Sequence, residues 1–131
     1  MILFAPKEID SREARTAITP ITAKRLVDKG IDVHVEASIG ELSNYSDNEY
    51  VEVGANLITD RSKALSDADI IFRVRKPSVG EIKKTKSGCI HLSFLDPFND
   101  SELLQLMASQ GITSISLEMI PRTTLAQKMD A

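Results

Sequence analysis

Arg122, Gln127 and Asp130 fall within the eleven residues PRTTLAQKMDA that run from Pro121 to Ala131. A guanidinium, a primary amide and a carboxylate offer paired donors and acceptors, a set able to hold a flat, amide-bearing polar ligand. The local pattern brings the three together. Thr123 is a suitable N-cap, which makes Leu125, Ala126 and Met129 the apolar side of a first helical turn. Gln127 and Asp130 then share one face, and Arg122 reaches that face from just before the cap. The turn has barely begun when Ala131 is reached, so the polypeptide is expected to continue.

A second set of charges follows the apolar runs. Lys7, Arg12 and Arg15 come after the first run, Arg75 and Lys76 after Ile70 to Val74, and Asp96 and Asn99 after Cys89 to Phe94. Arg122 follows the last run. Cations at the ends of strands suit a small anionic or polar ligand held by charge-assisted hydrogen bonds. Taken singly, each is an ordinary solvated loop charge.

Other chemistries are poorly supplied. Cys89 is the only cysteine, so no disulfide can form within the chain, and with no activating base nearby it reads as a small buried hydrophobe. Cys89 and His91 share strand parity, but two ligands without a second pair make a poor metal site, and His34 lies on an amphipathic edge strand. Lys83, Lys84 and Lys86 form a solvated face or a dock for an acidic partner. The methionines Met107, Met119 and Met129 are core fillers. The glycines, at 30, 40, 54, 80, 88 and 111, include no G-x-G-x-x-G, so no glycine-rich turn exists to approach a pyrophosphate. Tight dinucleotide binding by this chain alone is not expected.

The elements that must position these groups alternate regularly. Ile2 to Ala5 is a short buried strand ended by Pro6. Thr19-Pro20 opens a helix that Gly30 stops, and Ile31, Val33 and Val35 alternate with polar residues as a strand toward a sheet edge. Asp47 opens a short helix, Leu57-Ile58 a short strand, and Asp60 a helix through Leu65. Ile70 to Val74 is a strand, Ser78 and Glu81 form a capping box for Val79 to Lys84, Cys89 to Phe94 is a strand, and Asp100 or Ser101 starts a helix ended by Gly111. Ile112 to Leu117 is the last strand. This alternation predicts an α/β fold, a parallel sheet flanked by helices on both faces, flavodoxin-like or Rossmann-like without the dinucleotide fingerprint. Ligands of such sheets sit beyond the carboxyl ends of the strands.

Composition narrows the class further. The chain has 131 residues, one domain's worth, and a formal net charge of -3, which argues against a nucleic-acid partner. No apolar run is long enough to span a membrane, and the opening MILFAPKEID meets charge too soon for a signal peptide. A cytoplasmic location is the default expectation.

Two segments resemble a known family. IPRTTLAQKMDA is similar to the loop of the proton-translocating NAD(P) transhydrogenase alpha subunit (nucleotide-binding component I) that closes over the nicotinamide of NAD(H). PKEIDSREARTAITP is similar to the opening shared by alanine dehydrogenases and transhydrogenases. The resemblance implies that residues 1–131 are the first, discontinuous domain of that family, with a glycine-rich NAD-binding domain following residue 131. It implies that Arg122 and Asp130 orient the nicotinamide and its carboxamide, and that Gln127 reaches toward a second nicotinamide on a partner component. NAD(H) would bind the complete subunit and NADP(H) the partner. The complete subunit would be a homodimer attached peripherally to the inner membrane through membrane-embedded and NADP-binding components.

In the alanine dehydrogenase branch an arginine matching Arg15 meets the substrate carboxylate, helped by a lysine and a histidine. Here Arg75 stands at the lysine's place in the V-K-x-P pattern and Asp96 at the histidine's. An arginine stays protonated and an aspartate lacks an imidazole's proton near neutrality, so both departures count against amino-acid oxidation. Three alternatives stay open: substrate binding by Arg15 and Arg75 as in an alanine dehydrogenase, another dehydrogenase built on this domain, and a non-catalytic docking or dimerisation module. Without a returning segment the sheet is expected to keep an uncovered edge or face and to be marginally stable or self-associating.

Overall fold

The computed structural model describes residues 1–10, 12–97 and 99–119. Its elements run β1 (Ile2–Ala5), α1 (Pro20–Asp28), β2 (Asp32–Glu36), α2 (Asp47–Glu52), β3 (Asn56–Ile58), α3 (Arg61–Asp67), β4 (Ile70–Arg75), α4 (Val79–Lys84), β5 (Ile90–Phe94), α5 (Ser101–Ser109) and β6 (Thr113–Ser116). Single 3₁₀ turns occupy Glu41–Ser43 and Leu117–Met119. The strands form one sheet in the order β3-β2-β1-β4-β5-β6, every pair parallel. That is the doubly wound order of dinucleotide-binding folds rather than the flavodoxin order.

Local chemistry explains the element ends. Thr19 caps α1 by accepting from the Thr22 backbone N–H, with Pro20 in the first turn where its missing donor costs nothing. Ser78 and Glu81 close the expected capping box on α4, and Ser46 and Glu49 close a second on α2. Gly111, at φ +77, ends α5 in the left-handed region, and an added Cβ there would sit 2.3 Å from the Ser87 Oγ.

Several elements differ from expectation, β3, α3 and β4 by running one or two residues longer. Cys89 precedes β5 instead of starting it, and the last strand is shorter than Ile112 to Leu117 because the chain tightens into a 3₁₀ turn after Ser116. β2, which carries His34, is flanked by β1 and β3, so the edge belongs to the three-residue β3. Alternation in Ile31 to Val35 reports one solvated side, which an inner strand can also have.

Side-chain parity divides the core. Leu3, Ala5, Val33 and Val35 face α1 and α2, packing with Ala23 and the fully buried Tyr50. Phe4 and Ile71 face the other way, onto Ala64 and Leu65 of α3. Ile82 of α4, Leu103 and Met107 of α5, Leu95 and Ile112 extend that second layer. Helices therefore flank both faces. Each of the larger aliphatic and Phe side chains contributes about 1.5–3 kcal/mol by leaving water.

β5 reverses the usual polarity. His91 and Ser93 are buried, whereas Ile90, Leu92 and Phe94 are only half-buried on the opposite face. His91 Nε2 and Ser93 Oγ lie 2.9 Å apart, which satisfies both in place. Burial and the neighbouring Arg73 charge push the His91 imidazole down to about 3, so it is neutral near pH 7.

Candidate functional site

β1 and β4 lie side by side at the centre of the sheet, and their following helices depart to opposite faces, so a crevice opens beyond their carboxyl ends. The loop after β1 is fastened there from two directions. Glu36, at the end of β2, accepts from the Lys7 N–H at 2.7 Å, and Arg61 Nη1 donates to the Lys7 carbonyl at 2.9 Å. Arg61 also pairs with Glu36, and its Nε and Nη2 donate to Glu81 Oε2 at 3.1 and 2.8 Å. Arg73 Nη1 joins the same Glu81 oxygen at 3.1 Å. Burial pushes the Glu81 carboxyl up, but the Arg73 charge and the Arg61 hydrogen bonds prevail and hold it at about 2.

Among the described residues, the rim cations Lys7, Arg12, Arg15, Arg75 and Lys76 are each matched by an acid. Glu13, its side chain 4% exposed, accepts from Arg15 Nε at 2.8 Å and Nη2 at 2.9 Å, and from Arg75 Nε at 3.1 Å. The Arg15 fork holds the Glu13 carboxyl at about 2, against its burial. Asp10 receives Arg12 in a two-point pair and Arg75 Nη1 at 3.3 Å. Lys76 pairs with Asp100 at 2.7 Å and Lys7 with Glu41 at 3.4 Å. The rim is thus an ion-paired lattice in which Arg15 and Arg75 meet at one carboxylate.

Beside the lattice the Arg15 guanidinium stands 5.7 Å from the centroid of the Phe94 ring, within cation–π range. The two line a cavity of about 250 Å³ with Ala17, Phe72, Val74 and Leu117. A largely apolar recess that also has Arg15, Arg73 and Thr16 in its lining suits a small ligand with an apolar body and an anionic or polar end.

The other candidates fall elsewhere. Asp96 adopts φ +53, its N–H donates to Glu118 Oε1 at 2.7 Å, and its carboxylate accepts from Asn99. Cys89 is buried and its thiol is pushed up to about 11 by that burial, which leaves it an inert hydrophobe. His34 Nε2 lies 3.1 Å from Asp32 Oδ1. No cluster of metal-ligating side chains exists among the described residues. Arg122, Gln127 and Asp130 lie outside the described residues.

Sequence reasoning missed Glu8, Glu13, Arg61, Arg73 and Glu81. Arg73 carried a signal, because in IIFRVR it shares the parity of the core-facing Ile71. Arg61 carried none, since its partners lie far away in sequence, and the nearby Glu13–Arg15 pair gave no sign that the distant Arg75 would join it.

The described residues do not fit a dinucleotide pyrophosphate. The β1–α1 loop contains no glycine, and the start of α1 is closed by its own Thr19 and Pro20. No helix among them is long and apolar enough to cross a membrane.

Strand order and parallel pairing define a doubly wound α/β domain that lacks the glycine fingerprint. Residues 4–131 match the family model of the alanine dehydrogenase/PNT N-terminal domain. The chain belongs to that family. It is 35% identical to the NAD(P) transhydrogenase subunit alpha of Cereibacter sphaeroides, covering 100% of this chain and 25% of the relative. It is 34% identical to an alanine dehydrogenase of Halomonas elongata, over 92% of this chain and 32% of the relative. The crystal structure of transhydrogenase from Sinorhizobium meliloti superposes with a TM-score of 0.89 at 38% identity, covering 99% of this chain and 39% of that one. An L-alanine dehydrogenase structure superposes at 0.82 and 25% identity, over 88% of this chain and 32% of that one. The chain spans only a quarter to a third of the length of these two curated relatives, 25% and 32%.

Proposed function

We propose that the chain is the N-terminal part of an NAD(P) transhydrogenase alpha subunit and contributes the loop that positions the nicotinamide during hydride transfer from NADH to NADP. The supporting observation is the closer fit to transhydrogenase than to alanine dehydrogenase, 38% identity and TM-score 0.89 against 25% and 0.82. Arg122 and Asp130 orient the ring bearing the carboxamide, and Gln127 faces the second nicotinamide. Such transfer needs positioning groups rather than an acid or base. NAD(H) belongs to the complete subunit, whose glycine-rich domain supplies the pyrophosphate site missing from the described residues. NADP(H) and proton translocation belong to partner components. The complete subunit is a homodimer in the cytoplasm, attached peripherally to the inner membrane.

Gln127→Asn in the complete complex tests this role. Single-turnover hydride transfer is expected to fall with NADH affinity little changed, and an unaltered transfer rate removes the role from Gln127. The intact mass of the native polypeptide that begins with this sequence is the companion measurement. A mass well above that of 131 residues fits the proposal, and a mass equal to it favours a docking module.

A second reading, oxidation of an amino acid at Arg15 and Arg75, draws support from their meeting at Glu13 beside the Phe94 cavity. Arg75 and Asp96 in place of lysine and histidine weigh against it.

A further inference from the structure

β1 and β4 pair only at Leu3 with Ile70 and Phe4 with Ile71, yet β4 continues to Arg75. Its outer half therefore lacks a strand neighbour on the β1 side. In the same stretch the register between β4 and β5 shifts, between Phe72 and Arg75. Successive N–H groups of a regular strand point to opposite edges, and a bulge can turn two of them the same way. Here the Val74 and Arg75 N–H groups converge on one carboxylate, donating to Glu8 Oε2 at 3.0 Å and Oε1 at 2.9 Å. Adjacent N–H groups that converge form a seat for an anion, and a carboxylate there makes charge-assisted hydrogen bonds.

The geometry points to Glu8 as an internal anion that occupies the seat formed by the β4 bulge and thereby sets the Arg75 guanidinium against Glu13 and Arg15. Glu8 holds the Arg75 backbone, and Glu13 and Asp10 then receive its side chain at 3.1 and 3.3 Å. Arg15 shares Glu13, so the spacing of the two guanidinium groups depends on a residue that hydrogen-bonds to neither side chain. Glu8 is a positioning residue for the cationic rim, and its seat lies at the point where β1 and β4 part. The inference stands independently of the nicotinamide-loop reading, since it concerns only described residues.

The test uses the native polypeptide with selective ¹⁵N-valine and ¹⁵N-arginine labels, the resonances assigned through Val74→Ile and Arg75→Lys. In Glu8→Ala the Val74 and Arg75 amide protons are expected to move upfield, and the Arg75 Nε–H to lose its hydrogen-bonded shift. Formate, as probe of the emptied seat, is expected to restore all three saturably in the variant and to leave the unsubstituted protein unchanged. Glu8→Gln keeps one acceptor and is expected to preserve one of the two amide shifts, which provides a reading if the alanine variant does not fold. An Arg75 Nε–H that stays in place in either variant while the amides move overturns the positioning role. Failure of formate to restore a folded Glu8→Ala variant overturns the anion seat.

Discussion

Arg75 and Glu13 are separated by 62 positions in the sequence, yet Arg75 Nε donates to Glu13 Oε1 at 3.1 Å on the carboxyl rim. The contact joins the long loop after β1 to the end of β4, the two strands that part at the centre of the sheet. Because Glu13 is buried and both arginines are partly in water, the carboxylate is the fixed member and the guanidinium groups are arranged around it.

Glu13→Gln therefore removes the charge that gathers Arg15 and Arg75 while keeping shape and one acceptor. Hydrogen bonds to a charged group contribute about 1.5–3 kcal/mol, and exposure of the arginines reduces this. The expected loss is about 1–2 kcal/mol. A lowered urea midpoint at unchanged slope checks it. An unchanged midpoint would show that the pairing adds nothing to the fold.

Acid should weaken the fold in two stages. The His91 imidazole lies near 3 in the folded protein against 6.5 ordinarily, so below about pH 6.5 the unfolded chain takes up a proton that the folded chain refuses. Glu13 and Glu81 lie near 2 against 4.5, so the stability they contribute is complete above about 4.5 and is lost as pH falls toward 2. Both effects have the same sign, each worth up to about 1.4 kcal/mol per pH unit per proton. Urea midpoints at pH 7.5, 5.5 and 4 are expected to fall progressively, and His91→Gln to flatten the step between the first two. A midpoint that rises on acidification contradicts this account.

The apolar face of β5 and β6 predicts association. Leu92, Phe94 and Ile115 lie on the side of these strands away from α4 and α5, and no other helix among the described residues covers them. The 131-residue chain at high concentration is expected to sediment as larger species, and Leu92→Lys to shift it toward monomer with its helix signal intact. Concentration-independent sedimentation as a monomer would show the face to be covered.

Much of the architecture is readable from local signals. The strand–helix alternation, the Ser78 to Glu81 capping box and the proline start of α1 are short-range chemistry, and each forms as expected. Position within the sheet is less readable, which is why the alternation of the inner strand β2 points to an edge. At the site, Arg15 and Arg75 stand out because they follow strands. Glu13 does not, because its neighbour Arg15 gives no sign that Arg75, from the end of β4, will close on the same buried carboxylate. Arg73 is hidden inside an apolar run whose hydrophobicity outweighs the one charged side chain. Arg122, Gln127 and Asp130 rest on the sequence pattern alone.

Arg61 gives the carboxyl rim a mechanical character. Its guanidinium engages the Lys7 carbonyl, Glu36 and Glu81, and so ties together the loop after β1, the end of β2 and the first turn of α4. Three segments separate in sequence thus share one joint. A force on any of them is passed to the other two, so displacing the β1 loop strains β2 and α4 together, and the rim should respond to a docking partner as a plate rather than as a fringe of loops.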